Sequence, residues 1–85
     1  MTRAELEALY LEQEDFLDRV LASLARRSSL GVQEAAAHAA WVKARIVDND
    51  YEVLAKFNGE STLTTYLTVV ATMLTRRHLA RYRDE

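Results

Sequence analysis

The chain contains no proline and only two glycines, Gly31 and Gly59, among its 85 residues. Because proline and glycine interrupt helices more strongly than any other residues, long helices are compatible with almost the whole length. Hydrophobic residues make up 49% of the chain, which is typical of a folded protein rather than a disordered one. The length suits one small domain, so we expect a single all-α domain over residues 1–85.

Capping and turn signals divide the chain into three main helices and one short helix. Thr2 and Glu5 form a capping-box pattern that opens the first helix. This helix is predicted to end near Arg27, because basic residues favour a helix C-terminus. The second helix is predicted to begin near Val32 and to end at residues 48–50, whose sequence is Asp-Asn-Asp.

The remaining signals lie in the connections and in the last third of the chain. A short helix is predicted over residues 51–57, followed by a turn at Asn58-Gly59. The last helix is predicted over about residues 62–83, with Ser61 as its N-cap. Gly31 is predicted to take the left-handed conformation in the connection between the first two helices.

Apolar residues recur three and four positions apart on each main helix, which predicts one buried stripe per helix. The expected core residues are Leu6, Leu9, Tyr10, Leu17, Val20, Leu21 and Leu24 on the first helix, Val32, Ala35, Ala36, Ala39, Val42 and Ile46 on the second, and Leu63, Leu67, Val70, Leu74 and Leu79 on the third. Trp41 lies beside the second stripe, and two roles stay open for it: a core anchor, or an exposed contact with a partner.

Charge is distributed unevenly, although the net charge is only -2. The first eighteen residues carry six acidic side chains against one basic side chain. Residues 61–83 carry no acidic side chain, and four arginines lie near the end of this stretch: Arg76, Arg77, Arg81 and Arg83. Because nucleic acid responds to the local field, this basic end is a candidate phosphate-binding surface. The alternative is that these arginines only oppose the helix dipole.

Patterns of catalytic or metal chemistry are missing from the sequence. The chain has no cysteine, which excludes disulfides, thiolate metal ligands and a thiol nucleophile. His38 and His78 lie on different predicted helices without clustered acids, so we expect no metal site. Without a catalytic triad pattern, a phosphate-binding glycine loop or a zinc-protease motif, we expect no enzyme activity and no cofactor. The sequence has no leader pattern and no apolar run of membrane-spanning length, so we expect a cytoplasmic protein.

The start of the last helix is unusual for a solvated surface, because it carries Thr62, Thr64, Thr65 and Thr68 where charged residues would be expected. Threonine hydroxyls can contact phosphates or base edges without adding charge. Tyr66, in the same stretch, is either a packing residue or a platform on which an unpaired base stacks.

The segment over residues 56–83, KFNGESTLTTYLTVVATMLTRRHLARYR, resembles the region 2.3 to 2.4 helix of the sigma-70 family of bacterial RNA polymerase initiation factors. The resemblance is closest to the extracytoplasmic-function group. The positions that match the family pattern are Phe57, Gly59, Glu60, Ser61, Thr62, Leu63, Thr64, Thr65, Tyr66, Leu67, Val70, Ala71 and the arginines that follow. Residues 32–44, VQEAAAHAAWVKA, are similar to the region 2.2 helix, and the first helix corresponds to region 2.1.

The resemblance implies a transcription initiation factor domain that docks on the clamp helices of core RNA polymerase and recognises and melts the promoter -10 element. The residues it implies for binding the non-template single strand of promoter DNA are Thr62, Thr64, Thr65, Tyr66, Arg76, Arg77, Arg81 and Arg83. The residues it implies for binding polymerase are Glu34, His38, Trp41 and Lys43. An anti-sigma protein is a third partner implied by the family.

The chain also departs from the family pattern. Ala35 and Ala39 replace acidic residues of the polymerase-binding helix, and Thr72 and Met73 replace an Arg-Asn pair that often precedes the basic run. Arg77 replaces a frequent Asp. Two other hypotheses therefore stay open. One is a sigma-like module that binds a protein partner without melting DNA. The other is a small helical dimerisation domain with no nucleic-acid role, whose interface is Trp41 and the alanine-rich face of the second helix.

Overall fold

The protein folds into three helices in a computed structural model that describes residues 1–84 and the side chains of residues 1–81. The helices are α1 (Arg3–Arg27), α2 (Val32–Ala55) and α3 (Leu63–Asp84). Helices are the only regular elements among residues 1–84, which confirms the predicted all-α class. All three helices pack against one another. None of the helices has an apolar stretch of the length that crossing a bilayer requires, within the residues described.

Helix α1 begins with the predicted capping box. The Thr2 hydroxyl accepts a hydrogen bond from the Glu5 backbone N–H at 3.2 Å, and the Glu5 carboxylate accepts one from the Thr2 N–H at 3.1 Å. These two bonds satisfy backbone donors that have no partner inside the helix. The predicted start of the helix and its predicted end at Arg27 are therefore both confirmed.

The connection from α1 to α2 differs from the prediction, because Ser29 rather than Gly31 takes the left-handed conformation, with φ 57°. The N–H groups of Ser29 and Leu30 donate to the carbonyls of Arg26 and Ala25 at 3.1 and 3.0 Å. This is the hydrogen-bond pattern of a Schellman motif, which requires its left-handed residue directly after the helix cap. Gly31 comes too late for that role and instead precedes α2 in an extended conformation.

One core joins the three helices, and periodicity predicted most of it. The buried apolar residues are Leu6, Tyr10, Leu17, Leu21 and Ala25 on α1, Val42, Ile46 and Leu54 on α2, and Leu67, Val70, Ala71 and Leu74 on α3. The predictions for Ala36 and Val32 are wrong, because both are exposed, and the side chain of Val32 is exposed by 90%. It opens the first turn of α2, where all of residues 31–34 are exposed. Farther along α2, the buried positions begin with His38.

Helix α2 is interrupted where the sequence predicted a boundary. Asp48 leaves helical geometry with ψ 153°, and Asn49, Asp50 and Tyr51 all have positive φ. The Asp48 carboxylate accepts a hydrogen bond from the Asn49 N–H at 3.0 Å. The short helix predicted over residues 51–57 is therefore the final turn of α2, which ends at Ala55. Left-handed backbone destabilises each non-glycine residue by about 1 kcal/mol, so this break is held by its surroundings.

The turn before α3 has the predicted position, but the cap of the helix differs by one residue. Gly59 has φ 80°, and the Asn58 side-chain oxygen accepts a hydrogen bond from the Glu60 N–H at 3.1 Å. The hydroxyl of Thr62, rather than that of Ser61, accepts a bond from the Thr65 N–H at 3.2 Å. Thr62 is thus the N-cap of α3.

Candidate functional site

A cluster of threonine hydroxyls forms the start of α3. The Thr62 hydroxyl donates to the Thr65 hydroxyl at 2.8 Å, and the Thr62 and Thr64 hydroxyls lie 3.2 Å apart. Thr62 and Thr65 are exposed, and Thr64 is half-buried. The cluster presents several uncharged hydroxyl groups at one end of the helix. Because a hydroxyl both donates and accepts hydrogen bonds, the cluster can bond to a donor or to an acceptor.

Tyr66 lies next to this cluster but is tied to the end of α2. Its hydroxyl donates to the Val53 carbonyl at 2.6 Å, and its ring lies 5.2 Å from the ring of Phe57, at 48°. The side chain is half-buried against the core. These contacts support the packing role for Tyr66, since its polar group holds the segment that leads into the turn.

The outward side of α3 carries residues that sequence reasoning did not group together. We call it the outer face: a shallow depression formed by Thr68, Val69, Thr72, Met73, Arg76 and Arg77. Val69 is 60% exposed and Met73 is 42% exposed. The hydroxyls of Thr68 and Thr72 donate to backbone carbonyls one turn earlier, at 2.8 and 2.7 Å. Because these hydroxyls are turned to the backbone, the threonines present mainly their methyl groups. The three- and four-residue spacing of these positions was the signal available in the sequence.

The basic end of α3 carries arginines without acidic neighbours. Arg76, Arg77 and Arg81 are exposed, and no carboxylate among the described residues lies within ion-pair distance of them. Arg77 and Arg81 line a hollow together with Arg45 and Trp41 of α2. The Arg83 side chain lies outside the described residues. Unpaired cations in such a group create a local positive potential that attracts polyanions.

The four predicted polymerase-binding residues separate into two groups. Lys43 faces α1, where its ammonium group pairs with Asp18 and lies 3.8 Å from the Glu14 carboxylate. Glu34, His38 and Trp41 line a cleft of about 320 Å³ on another side of α2. The other residues lining this cleft are Ser28, Leu30, Ala37, His78 and Leu79. The structure therefore brings three of the four residues together and places Lys43 in the contact between α1 and α2.

A buried polar network lies at the inner wall of the cleft. The His38 and His78 Nδ1 atoms are 2.6 Å apart, and His38 Nε2 lies 2.8 Å from the Thr75 hydroxyl. His38 is 1% exposed, so its side chain is not accessible for the direct contact with polymerase that the resemblance implied. Burial, and then the nearby charge of His78, lower the pKa of His38 below its usual value. Sequence reasoning missed this network and left His38 off the buried stripe, although its four-residue spacing from Val42 and Ile46 could have indicated burial.

Trp41 lies partly in the core and partly at the surface, so the structure supports its packing role and leaves part of its ring accessible. Its ring stacks on His78 with 4.5 Å between centroids and 11° between planes, and it packs against the core. The Arg45 guanidinium lies 5.7 Å from the ring centroid, which is cation–π distance. Trp41 remains half-buried and lines both the cleft and the arginine hollow. It therefore joins two adjoining surfaces.

No group of three or more His, Cys, Asp or Glu residues converges on a point suited to a metal ion, as far as the described residues extend. The chain matches no protein-family model, no curated protein and no solved structure. Inference about its function therefore depends on its own residues and on the resemblance noted in the sequence.

Proposed function

We propose that this chain is a sigma region 2-like domain of the extracytoplasmic-function group, which docks on core RNA polymerase and recognises and melts the promoter -10 element. The observation that carries the proposal is the outer face of α3, where exposed apolar groups and arginines lie together beside the threonine cluster, with no acidic side chain in the described lining. Such a domain acts in the bacterial cytoplasm, and an anti-sigma protein is its expected regulator.

The outer face has the chemistry that a single DNA strand requires. Arg76 and Arg77 on this face, and Arg81 in the adjoining hollow beside Trp41, supply cations for phosphates. Each neutralised phosphate makes the affinity more sensitive to salt. Val69 and Met73 supply apolar surface for bases and for thymine methyl groups. Unpairing a base requires a few kcal/mol, so a surface that holds the opened strand selects DNA that opens easily.

The threonine cluster and Tyr66 would lie at the edge of this surface. Thr62, Thr64 and Thr65 can exchange their mutual hydrogen bonds for bonds to a base edge or a phosphate. In this proposal Tyr66 contributes through the exposed part of its ring, while its hydroxyl keeps the bond to Val53.

Polymerase docking would use the surface around the cleft on α2. Glu34 and Trp41 are accessible there, whereas His38 supports Trp41 from beneath through His78. Lys43 would act indirectly, by holding α2 against α1. The alternative is a repurposed sigma-like module that binds a protein partner without melting DNA. The engagement of Lys43 and the alanines at 35 and 39 favour this alternative, because they leave few charged groups on the docking surface.

The test is binding of the 85-residue chain to a fluorescent single-stranded oligonucleotide of the -10 type, beside a scrambled oligonucleotide of equal composition. We expect tighter binding to the -10 type and a steep loss of affinity as salt rises. The triple variant R76Q/R77Q/R81Q should lose most of the affinity. The variant R19Q is the matched control, because Arg19 is an exposed arginine on α1.

Each result separates the hypotheses. Salt-dependent binding without preference between the two oligonucleotides would reduce the role of α3 to phosphate attraction. No binding of either strand at low salt would reject the DNA role and leave the protein-binding alternative. A pull-down with the polymerase clamp helices, comparing W41A with R19Q, then tests the docking surface independently of DNA.

A further inference from the structure

The pair formed by His38 and His78 joins α2 to α3 through one short contact between two ring nitrogens, 2.6 Å apart. No step of the proposed function uses the titration of these rings. We propose that His38 and His78 form a proton-sensitive latch between α2 and α3, closed while the two rings share one hydrogen bond and open when both rings are charged. This inference does not depend on DNA or polymerase binding.

The geometry limits how many protons the pair can hold. A hydrogen bond between two imidazole nitrogens requires an N–H on one ring and a lone pair on the other. A neutral pair meets this requirement, and so does a pair with one imidazolium. When both rings are charged, every ring nitrogen carries a proton, so two N–H groups face each other across the contact between the Nδ1 atoms. The closed arrangement therefore excludes the doubly charged pair.

Thr75 allows the closed pair to exist in more than one proton arrangement. Its buried hydroxyl lies 2.8 Å from His38 Nε2, and a hydroxyl can either donate or accept. If His38 donates to His78 through Nδ1, Thr75 donates to Nε2. If His78 donates to His38, His38 donates to Thr75 instead. The latch can thus take up a first proton without breaking, and the second proton is the one that opens it.

Among the described residues, most charged groups near the pair are positive and oppose a second positive charge on it. Arg77 and Arg81 of α3 line the same hollow as Trp41. Arg45 of α2 lies over the Trp41 ring. Glu34 of α2 is the single carboxylate among the described residues that line the cleft. Ser28 and Leu30, from the connection before α2, also line the cleft and are uncharged. None of the described residues that line the cleft belongs to α1. Burial of His38 acts in the same direction as the arginines.

Opening of the latch would be transmitted to the surface through Trp41, because its ring stacks directly on His78. When the rings separate, Trp41 loses this support, and both the cleft and the arginine hollow change shape. Acidification therefore alters the surface that lies between the two proposed binding surfaces. The contact between α2 and α3 therefore has two states, closed and open, and binding of a second proton to the histidine pair changes one into the other.

Trp41 is the only tryptophan in the chain, so its fluorescence reports on the latch directly. We expect one sigmoidal change in emission as pH falls from 8 to 5, with a midpoint below the ordinary histidine pKa of about 6.5. The variant H78Q, which removes the ring that stacks on Trp41, should lack the change, and H38Q, which removes the other half of the pair, should change its midpoint. R45Q is the control, because it removes the other contact of Trp41 and should retain the transition. A transition that persists in H78Q, an unchanged midpoint in H38Q, or no transition in the native chain, would overturn the proposal.

Imidazole resonances of the unsubstituted protein test the latch even if a glutamine variant fails to fold. Nitrogen-detected NMR titration should show two macroscopic steps, separated by more than about one pH unit, because the sites are strongly coupled. The second step should coincide with the change in Trp41 emission. Two independent titrations with a common midpoint near about 6.5 would show that the rings do not share a proton, and the latch would be rejected.

Discussion

A helix at a protein surface usually buries apolar side chains and exposes polar ones, and the two faces of α3 depart from this pattern in opposite ways. Its inner face buries Thr75 together with Leu67 and Leu74, and its outer face exposes Val69 and Met73. The inward polar group is explained by the structure, because Thr75 completes the network with His38. The outward apolar groups are only partly covered by the rest of the described residues. The inner face is therefore explained by folding, whereas the outer face is the surface on which the proposed DNA contact depends.

Substitutions on the two faces should differ most in stability. We expect L67A on the inner face to lower the free energy of unfolding by about 2–5 kcal/mol, because it leaves a cavity in the core. V69A on the outer face should change it by less than about 0.5 kcal/mol. Urea denaturation followed by circular dichroism measures both values. If V69A were as destabilising as L67A, the outer face would be part of the core and the comparison would fail.

Two threonines of α3 offer a closer comparison at constant volume. T75V removes the hydroxyl that bonds His38 Nε2 and leaves a buried polar atom without a partner, so it should destabilise the protein by about 1–3 kcal/mol. T72V is the matched control. The Thr72 hydroxyl bonds to the Thr68 carbonyl of its own helix, and its loss should matter by less than about 0.5 kcal/mol. Equal effects of the two substitutions would mean that the histidine network contributes no more than an ordinary helix-surface contact.

The inner face should also make stability depend on pH, because burial and then His78 lower the pKa of His38 in the folded protein. Between that lowered pKa and the unfolded value of about 6.5, the unfolded chain holds more protons than the folded one. The free energy of unfolding should therefore be highest above about pH 6.5 and fall as pH drops through the folded-state pKa. The slope for one proton is at most about 1.4 kcal/mol per pH unit.

The control for this pH dependence is H38Q, measured by urea denaturation over the same range. Its stability should be flatter between about pH 6.5 and the region near pH 4 where carboxylates titrate. An H38Q profile parallel to that of the native chain would assign the dependence to other groups.

Sequence patterns predicted the structure well where it depends only on residues close together in the chain. The capping box at Thr2 and Glu5 depends on four neighbouring residues, and the structure confirms it. The errors arose where several local solutions compete. Ser29, rather than Gly31, satisfies the end of α1, because the hydrogen bonds of that motif require the left-handed residue at one position. Thr62 is the cap of α3 in place of the neighbouring Ser61, which was also a residue type suited to that position.

The candidate site was less predictable, because it depends on how helices meet. His38 and His78 lie forty residues apart, and only the packing of α2 on α3 brings their rings together. The sequence predicted that the two histidines lie on different helices, but it did not predict a contact between them. Lys43 shows the same limit, since its pairing with Asp18 depends on the rotation of α2 against α1. Burial of His38 could have been read from its spacing, but its partners could not.

A substitution of Met73 distinguishes the apolar residues of the outer face from its arginines. M73Q keeps nearly the volume of Met73 and removes its apolar character, and stability should change by less than about 0.5 kcal/mol. If Met73 contacts bases, preference for the -10 oligonucleotide over the scrambled one should fall roughly fourfold, as expected for the loss of about 0.8 kcal/mol of apolar contact. The salt dependence should stay unchanged, because the arginines remain. The control is L11Q, since Leu11 is an exposed apolar residue of α1. A loss of preference in L11Q equal to that in M73Q would show that general surface hydrophobicity, and not the outer face, distinguishes the strands.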